Sequence, residues 1–300
     1  MKTAWVFPGQ GSQAVGMVAD LLEQAPEKFA QAERILGWSV VDLCQGNLET
    51  LSETQFTQPC LYVVECVLVD LLKAQGHQPD IVAGHSLGEY VALYTAGVFD
   101  FETGLRLVKC RSELMAQASD GMMAALMGFD REELMAAIAT TPDVVLANDN
   151  NPGQAVISGT PAAVESVMAS VRSRRAVPLK VSGAFHSPLM ARAAAQFKVV
   201  LDLVQFNNAQ VAVLSNVEPE AATEGLVLKA RLVQQMTGSV RWRETALQLP
   251  ELKVEQVVEV GPGKVLNGLI KRTCKGLKLE NVETAAAIAE LPVLALVGMG

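Results

Sequence analysis

Residues 80–96 read DIVAGHSLGEYVALYTA. The apolar run Asp80–Gly84 predicts a short strand, and Leu87–Ala96 predicts a helix directly after it. Between them, Gly84–Gly88 matches the pattern G-x-S-x-G, in which two glycines permit a tight turn that lifts the serine to the start of the helix. Backbone N–H groups and the helix dipole favour a developing oxyanion there. We therefore predict that Ser86 is a nucleophile; a Gly/Ser turn between core elements is the alternative.

Short apolar runs alternate with amphipathic helical stretches outward from this turn, a pattern typical of an α/β fold. Residues 121–183 differ, because their predicted order is βαββαβ, the ferredoxin-like pattern. We predict a catalytic core over residues 1–120 and 184–300 with an inserted small domain over residues 121–183. Further strands are predicted over Thr3–Phe7, Ala176–Val181, Val211–Ser215 and Gln256–Val260. Further helices are predicted over Pro59–Lys73 and Asp100–Ala118.

The composition indicates a globular protein. The chain has 300 residues, half of them apolar, and a formal net charge of −8. That charge argues against nucleic-acid binding. The apolar tail after residue 284 is shorter than the roughly 20 residues of a membrane span, and the N-terminus lacks a secretory apolar region. The five cysteines have no CxxC spacing, which suits a reducing compartment and disfavours a thiolate metal site. We expect a cytoplasmic protein without a metal.

A serine nucleophile needs a base, and the chain offers three histidines. His85 is adjacent to Ser86 and should point elsewhere, and His77 lies in a polar loop. His186 follows a predicted strand and precedes a helix, which places it at the carboxyl edge where open α/β sheets carry their sites. We predict that His186 is the general base. None of the aspartates between Ser86 and His186 clearly ends a core strand, so a main-chain carbonyl is a plausible partner for the histidine.

Arg111 lies in the middle of the apolar stripe of its predicted helix, among Leu107, Val108, Leu114 and Met115. A buried guanidinium is costly unless it is paired. One interpretation is a structural ion pair, for example with Glu89. The other is a bidentate clamp for a substrate carboxylate.

With these residues in place, the chain resembles the malonyl-CoA:acyl carrier protein transacylases of type II fatty acid synthesis over nearly its whole length. Six blocks in this order carry the resemblance: Phe7–Gln13, Gly84–Tyr90, Arg111, Asn151–Gly159, Gly183–Ser187 and Glu259–Leu266.

The resemblance implies an α/β-hydrolase-like parallel-sheet core and a ping-pong transfer. Ser86, activated by His186, would attack malonyl-CoA, and the N–H groups of Gln10 and Leu87 would hold the oxyanion. Arg111 would bind the malonyl carboxylate, and the acyl group would pass to acyl carrier protein. CoA enters as a substrate and no cofactor is implied.

Three further assignments follow from the resemblance. The main-chain carbonyl that orients the histidine falls on Gln235. Phe185, in a Gly-Ala-Phe-His segment, would crowd an α-methyl branch and select malonyl over methylmalonyl; ordinary core packing is the alternative. Acyl carrier proteins are acidic, so Lys271 and Arg272, in the basic stretch Gly261–Leu279, are predicted docking contacts; a solvated helix face is the alternative. We expect a monomer.

Other readings share part of this pattern. A serine esterase or thioesterase would use Ser86 and His186 but does not explain Arg111. A dinucleotide-binding protein fits Gly9–Ala14 only weakly, because no clear second strand ending in an acid follows. A catalytically inactive protein that only binds acyl carrier protein would not need to keep Ser86, His186 and Arg111. The transacylase subunit of a malonate decarboxylase would share the chemistry and differ in its carrier.

Overall fold

Five strands form a parallel sheet in the computed structural model, which describes residues 1–118, 120–181 and 183–291. The strands are β1 (Thr3–Phe7), β2 (Ile81–Gly84), β7 (Ala212–Leu214), β8 (Gln256–Val260) and β9 (Lys278–Val282). Their order across the sheet is β7-β2-β1-β8-β9, and every neighbouring pair is parallel. Because parallel strands end on the same side, the loops that follow β1, β2, β7 and β8 meet at one carboxyl edge.

Helices cover both faces of this sheet. Successive side chains of β1 point to opposite faces and are apolar on both, so both faces have to be buried. Trp5 and Phe7 pack into the larger core with the long helix over Thr54–Ala74, while Ala4 and Val6 pack into a second core with the helices over Trp242–Glu251 and Val265–Thr273. The helices are α1 (Pro26–Leu36), α2 (Val40–Gln45), α3 (Leu48–Leu51), α4 (Thr54–Ala74), α5 (Gly88–Thr95), α6 (Phe101–Gln117), α7 (Arg131–Thr140), α8 (Pro161–Ser170), α9 (Ala191–Asp202), α10 (Gly225–Gln235), α11 (Trp242–Glu251), α12 (Val265–Thr273) and α13 (Ala285–Ala289).

A second, antiparallel sheet holds the remaining strands: β3 (Met122–Phe129), β4 (Val144–Asn151), β5 (Gln154–Gly159) and β6 (Ser173–Pro178). Its order, β4-β5-β3-β6, with α7 after β3 and α8 after β5, is the ferredoxin-like arrangement. Together the two sheets confirm the predicted fold class.

The chain enters and leaves the second sheet at one place. A Cβ on Gly121 would lie 2.4 Å from Cβ of Ala184, and a Cβ on Gly183 would lie 2.0 Å from the carbonyl oxygen of Ala118. The two segments that connect the core with the second sheet therefore lie side by side, as expected for an inserted domain. The exact domain boundaries stay a prediction. Residues 292–300 of the predicted core lie outside the described residues.

Two of the elements named in the sequence analysis have an end that differs from its predicted position by more than one residue. The last strand of the small sheet runs over Ser173–Pro178, not Ala176–Val181, because its partner β3 pairs Phe129 with Ser173 and Ala124 with Pro178. The helix predicted over Pro59–Lys73 begins at Thr54.

Helix α4, with 21 residues, is a longer apolar segment than the tail that the sequence analysis compares with a membrane span. Among the described residues, α4 is the one helix whose length and composition would allow it to cross a membrane, with 78% of its most apolar window buried inside the fold. A core helix of a globular protein passes the same test, and the burial of α4 accounts for its apolar composition.

Candidate active site

The turn between β2 and α5 forms a strand-to-helix elbow with Ser86 at its tip. Ser86 has φ +52°, a left-handed conformation that non-glycine residues rarely adopt. The flanking glycines are required by close approach: a Cβ on Gly84 would lie 1.9 Å from the carbonyl carbon of Gly88, and a Cβ on Gly88 would lie 2.0 Å from the carbonyl oxygen of Phe7. The G-x-S-x-G pattern therefore marks the tight turn that the sequence predicts.

His186 lies against the Ser86 hydroxyl, with Nε2 2.7 Å from Oγ. Its Nδ1 lies 2.9 Å from the main-chain oxygen of Gln235 and 3.2 Å from that of Gly238. A carbonyl only accepts hydrogen bonds, so Nδ1 carries the proton and Nε2 accepts from Ser86. Burial and the charge of Arg111 lower the pKa of His186 to about 3, so the imidazole is neutral and able to take a proton at neutral pH.

Gln10 and Leu87 line one cavity together with Ser86 and His186. Gly9 brings the two together, because a Cβ at that position would lie 2.5 Å from the carbonyl oxygen of His85. No described residue accepts a hydrogen bond from the main-chain amide of Gln10 or Leu87, whereas the amide of Ser86 donates to Asn216 Oδ1 at 2.7 Å. Two unengaged N–H groups beside a nucleophile are what an oxyanion hole requires.

Arg111 is fully buried on α6 and points its guanidinium at the nucleophile. Nη1 donates to Gln58 Oε1 at 2.6 Å, and Nη2 donates to Ser86 Oγ at 3.0 Å and to Gln235 Oε1 at 3.1 Å. Burial lowers the pKa of this guanidinium from its usual value. The nearby carboxylate of Glu89 opposes this shift.

The alternative ion pair with Glu89 does not form directly. Gln235 stands between the two groups, donating to Glu89 Oε2 at 2.7 Å. Among the described residues, Arg111 has no carboxylate within 4.0 Å of its nitrogens. The guanidinium is contacted by neutral amides and a hydroxyl, and the ring of Tyr90 lies 5.4 Å from its Cζ. A buried cation with neutral neighbours is suited to receive a carboxylate from outside the chain.

A cavity of about 90 Å³ joins these groups. Phe185, 5% exposed, forms part of its wall immediately before His186. The predicted residues that line it together are Gln10, Ser86, Leu87, Arg111, Phe185 and His186.

A larger cleft of about 1,020 Å³ lies next to the cavity, and Val181 lines both. The cleft runs between the N-terminal part of α4 and the C-terminal part of α6. Three acidic side chains and one basic side chain line it: Glu49, Glu53, Glu113 and Lys180.

Lys271 and Arg272 lie elsewhere. Both are exposed in the last turn of α12, where a positive charge also complements the helix dipole, and neither lines the cavity. Gln235 is behind the cavity wall, where it contacts His186 through its carbonyl and Arg111 through its side chain. Within the described residues, no group of three or more His, Cys, Asp or Glu side chains is placed to hold a metal ion.

Three amide side chains in the site escaped the sequence reasoning. Gln58 orients Arg111, Asn150 Oδ1 lies 2.9 Å from Nε2 of His85, and Asn216 contacts the elbow. The imidazole of His85 contacts Asn150 and lies 5.7 Å from the ring of Trp242, while His186 is the histidine that contacts Ser86 Oγ. Amides have no distinctive spacing in a sequence, so only the position of Asn216 directly after a predicted strand was a usable signal.

The chain matches the family model described as the acyl transferase domain over residues 4–298. It is 63% identical over 284 residues to the malonyl CoA-acyl carrier protein transacylase of Synechocystis sp., an alignment that covers 94% of this chain and 97% of that protein.

Solved structures agree with this match. The crystal structure of the Synechocystis malonyl-CoA:ACP transacylase is 61% identical, with a TM-score of 0.96 over 97% of this chain and all of that one. The complex PlMCAT:AntF, a type II PKS acyl-carrier protein with its malonyl-transacylase, is 38% identical, with a TM-score of 0.90 over 96% of this chain and 98% of that one.

Proposed function

The chain belongs to the acyl transferase domain family, and on that premise we propose that it transfers a malonyl group from malonyl-CoA to the phosphopantetheine thiol of acyl carrier protein. The observation that carries this proposal is the guanidinium of Arg111, which lies 3.0 Å from Ser86 Oγ and forms no ion pair with any carboxylate of the described residues. A neutral acyl group has no need of a buried cation at that position, whereas a malonyl group brings a carboxylate to it. The names of the Synechocystis relative and of PlMCAT:AntF support the same substrate and acceptor.

In the first half-reaction, Ser86 Oγ attacks the thioester carbonyl carbon while its proton passes to Nε2 of His186. The N–H groups of Gln10 and Leu87 stabilise the resulting oxyanion; one such donor is typically worth about 3 kcal/mol in the transition state. The carbon–sulfur bond then breaks, His186 returns the proton to the CoA sulfur, and malonyl-Ser86 remains. The carbonyl of Gln235 holds the imidazole in the required tautomer and stabilises its charged form.

The second half-reaction reverses these steps with a different thiol. His186 takes the proton of the phosphopantetheine thiol, the sulfur attacks malonyl-Ser86, and the ester oxygen of Ser86 regains its proton from His186. The same groups serve both directions, which is what a ping-pong transfer requires.

The large cleft is suited to the arm that carries the thiol or thioester. Its acidic lining repels phosphates but leaves an uncharged pantetheine chain unaffected. Because Val181 lines both the cleft and the cavity, an arm lying in the cleft delivers its sulfur toward Ser86. The charged nucleotide of CoA and the acidic carrier then remain outside.

A serine esterase or thioesterase is the second candidate, because Ser86, His186 and the oxyanion donors would also serve water as the acceptor. No feature of the site favours it, and Arg111 remains unexplained by it. The acceptor carrier supplies fatty acid elongation in this proposal; PlMCAT:AntF shows a related fold with a polyketide carrier. We also propose that the enzyme acts as a monomer in the cytoplasm, which analytical ultracentrifugation and cell fractionation test.

The test is intact-protein mass spectrometry after separate incubation with malonyl-CoA and acetyl-CoA, without carrier protein. Wild type should gain a malonyl group, Ser86→Ala should gain none, and Arg111→Ala should lose the malonyl adduct or favour acetyl. Adding phosphopantetheinylated carrier should remove the adduct and malonylate the carrier. CoA release without an adduct and without transfer would instead identify a hydrolase.

A further inference from the structure

The side chain of Asn216 spans the elbow from one side of Ser86 to the other. Its Oδ1 accepts a hydrogen bond from the Ser86 amide at 2.7 Å, and its Nδ2 donates to the Gly84 carbonyl oxygen at 2.6 Å. These two partners fix which end of the side chain carries the oxygen, since an amide donor needs an acceptor and a carbonyl needs a donor.

The backbone of Asn216 is itself held in place. The residue follows β7, which lies beside β2 in the parallel sheet, so its side chain reaches sideways to the end of the neighbouring strand. Its N–H donates to Glu89 Oε2 at 3.2 Å, and its carbonyl accepts from the amide of Arg241 at 3.0 Å. Asn216 is 1% exposed, so water does not substitute for these contacts.

These contacts have two consequences for the nucleophile. They support Ser86 in a left-handed conformation that its backbone does not favour, and they direct its N–H away from the cavity. The oxyanion is therefore left to Leu87 and Gln10. We propose that Asn216 is a positioning residue: its amide holds the elbow so that the Ser86 hydroxyl faces His186 and the Ser86 N–H stays outside the oxyanion hole. The link to malonyl transfer rests on the proposed function.

The variant Asn216→Asp, whose side chain has the same shape, distinguishes a positioning role of Asn216 from a packing role. In Asn216→Asp the ionised side chain accepts from Ser86 but cannot donate to Gly84, whereas the protonated acid can do both. Two charged groups lie next to this position: Glu89 accepts from the Asn216 amide at 3.2 Å, and the guanidinium of Arg241 donates to the carbonyl of the following residue, Val217, at 3.0 Å. Burial and the carboxyl of Glu89 favour protonation of the new side chain at mildly acidic pH, and the charge of Arg241 opposes it. A packing role does not depend on that proton.

The experiment measures the rate of CoA release in the first turnover with malonyl-CoA, and the rate of Ser86 labelling by a fluorophosphonate, from pH 5 to pH 8. Asn216→Ala should slow both by about 100-fold with the KM for malonyl-CoA unchanged, since small misplacement of a reacting group has effects of that size. Asn216→Asp should be slow at pH 8 and recover toward pH 5. The wild-type rate should not fall over this range through protonation of His186, whose pKa is about 3.

Asn281→Ala is the matched control. Asn281 also bridges main-chain groups at the carboxyl edge, donating to the carbonyls of Glu259 and Gly263, but it does not contact the elbow. It should reduce thermal stability and leave both rates unchanged.

Wild-type rates in the two Asn216 variants, or an equal slowing in Asn281→Ala, would overturn the proposal. If Asn216→Ala fails to fold, the pH-dependent recovery of Asn216→Asp decides. If wild type takes no malonyl group while Asn216→Ala slows fluorophosphonate labelling, the positioning role stands and the proposed function fails.

Discussion

Nη2 of Arg111 lies 3.0 Å from Oγ of Ser86, so the hydroxyl accepts a hydrogen bond from a buried cation while it donates one to His186. The guanidinium thus occupies, in the free enzyme, the place where it can turn from the nucleophile to the carboxylate of a bound acyl group. Gln58 and Gln235 hold it there without neutralising it. This relationship distinguishes the site from that of an ordinary serine hydrolase.

Arg111→Lys should reduce kcat/KM for malonyl-CoA by about 100-fold, because an ammonium cannot reproduce the planar fork that contacts Gln58, Gln235 and a carboxylate together. Gln58→Ala should reduce it by about 10-fold, since it removes one neutral acceptor. Steady-state kinetics with malonyl-CoA and acetyl-CoA check both values. Equal losses for the two substrates would contradict a carboxylate-specific role.

The low pKa of His186 sets the pH dependence of acylation. An ordinary histidine would be mostly protonated at pH 5 and would reduce the rate about 30-fold there. With its pKa at about 3, His186 remains a base, so kcat/KM should show no loss from its protonation between pH 8 and pH 5.

Arg111→Ala provides the comparison, because it removes one of the causes that lower the pKa of His186 and should move the acid limb of the pH–rate profile to higher pH. The limb is best followed by fluorophosphonate labelling, which needs no carboxylate contact. An acid limb near pH 6.5 in wild type would contradict the neutral imidazole.

Phe185→Ser should allow methylmalonyl-CoA to acylate Ser86, because it removes the aromatic wall of the cavity immediately before His186. Competition between malonyl-CoA and methylmalonyl-CoA, read by the mass of the adduct, measures the selectivity. Met123→Ala enlarges the same cavity at another wall and is the matched control. Unchanged selectivity in Phe185→Ser, or an equal change in Met123→Ala, would reject selection by Phe185.

Charge reversal of Lys271 and Arg272 should raise the KM for acyl carrier protein by about 10-fold at low salt, because exposed charges at the edge of an interface affect the rate of association with a charged partner. Acylation by malonyl-CoA should be unchanged. Lys198→Glu, on α9, is the control, with the same change in charge as the reversal of either residue alone. Equal effects on both half-reactions, or the same effect in the control, would count against docking at the end of α12.

Glu259 predicts a pH-dependent stability. It is fully buried, and burial raises its pKa to about 7 from an ordinary 4.5, although it accepts hydrogen bonds from the amides of Leu266 and Asn267. The folded protein therefore binds this proton more tightly than the unfolded chain. The resulting stability is fully present below pH 4.5 and is lost as the pH rises through 7, with a total near 3 kcal/mol.

Urea unfolding from pH 5 to pH 8 should show a falling free energy of unfolding in wild type and a flatter profile in Glu259→Gln. Glu244→Gln is the control, because Arg241 lowers the pKa of Glu244 and so gives that group the opposite sign. A parallel decline in wild type and Glu259→Gln would show that another group titrates.

Local features of the chain were sufficient to predict much of this molecule. Gly84 and Gly88 indicated the elbow because no side chain fits where each backbone meets a neighbour, and that requirement is visible in the residues themselves. Strands β1 and β8 were predicted with their observed ends, since buried parallel strands are short apolar runs. The placement of Arg111 on an apolar stripe correctly predicted a buried guanidinium, because helical periodicity assigns a face to each residue.

The tertiary structure alone decided what surrounds those residues. Asn216 contacts Ser86 across 130 positions in the chain, and Gln58 contacts Arg111 across 53. Such amide contacts depend on which strand ends lie side by side, and hydrophobic periodicity carries no information about that. The sequence left open whether Arg111 pairs directly with Glu89; the fold decided against that pair by placing the side chain of Gln235 between the two groups. Periodicity acts through nearest neighbours along the chain, whereas the electrostatics of the site come from loops that only the parallel sheet brings to one edge.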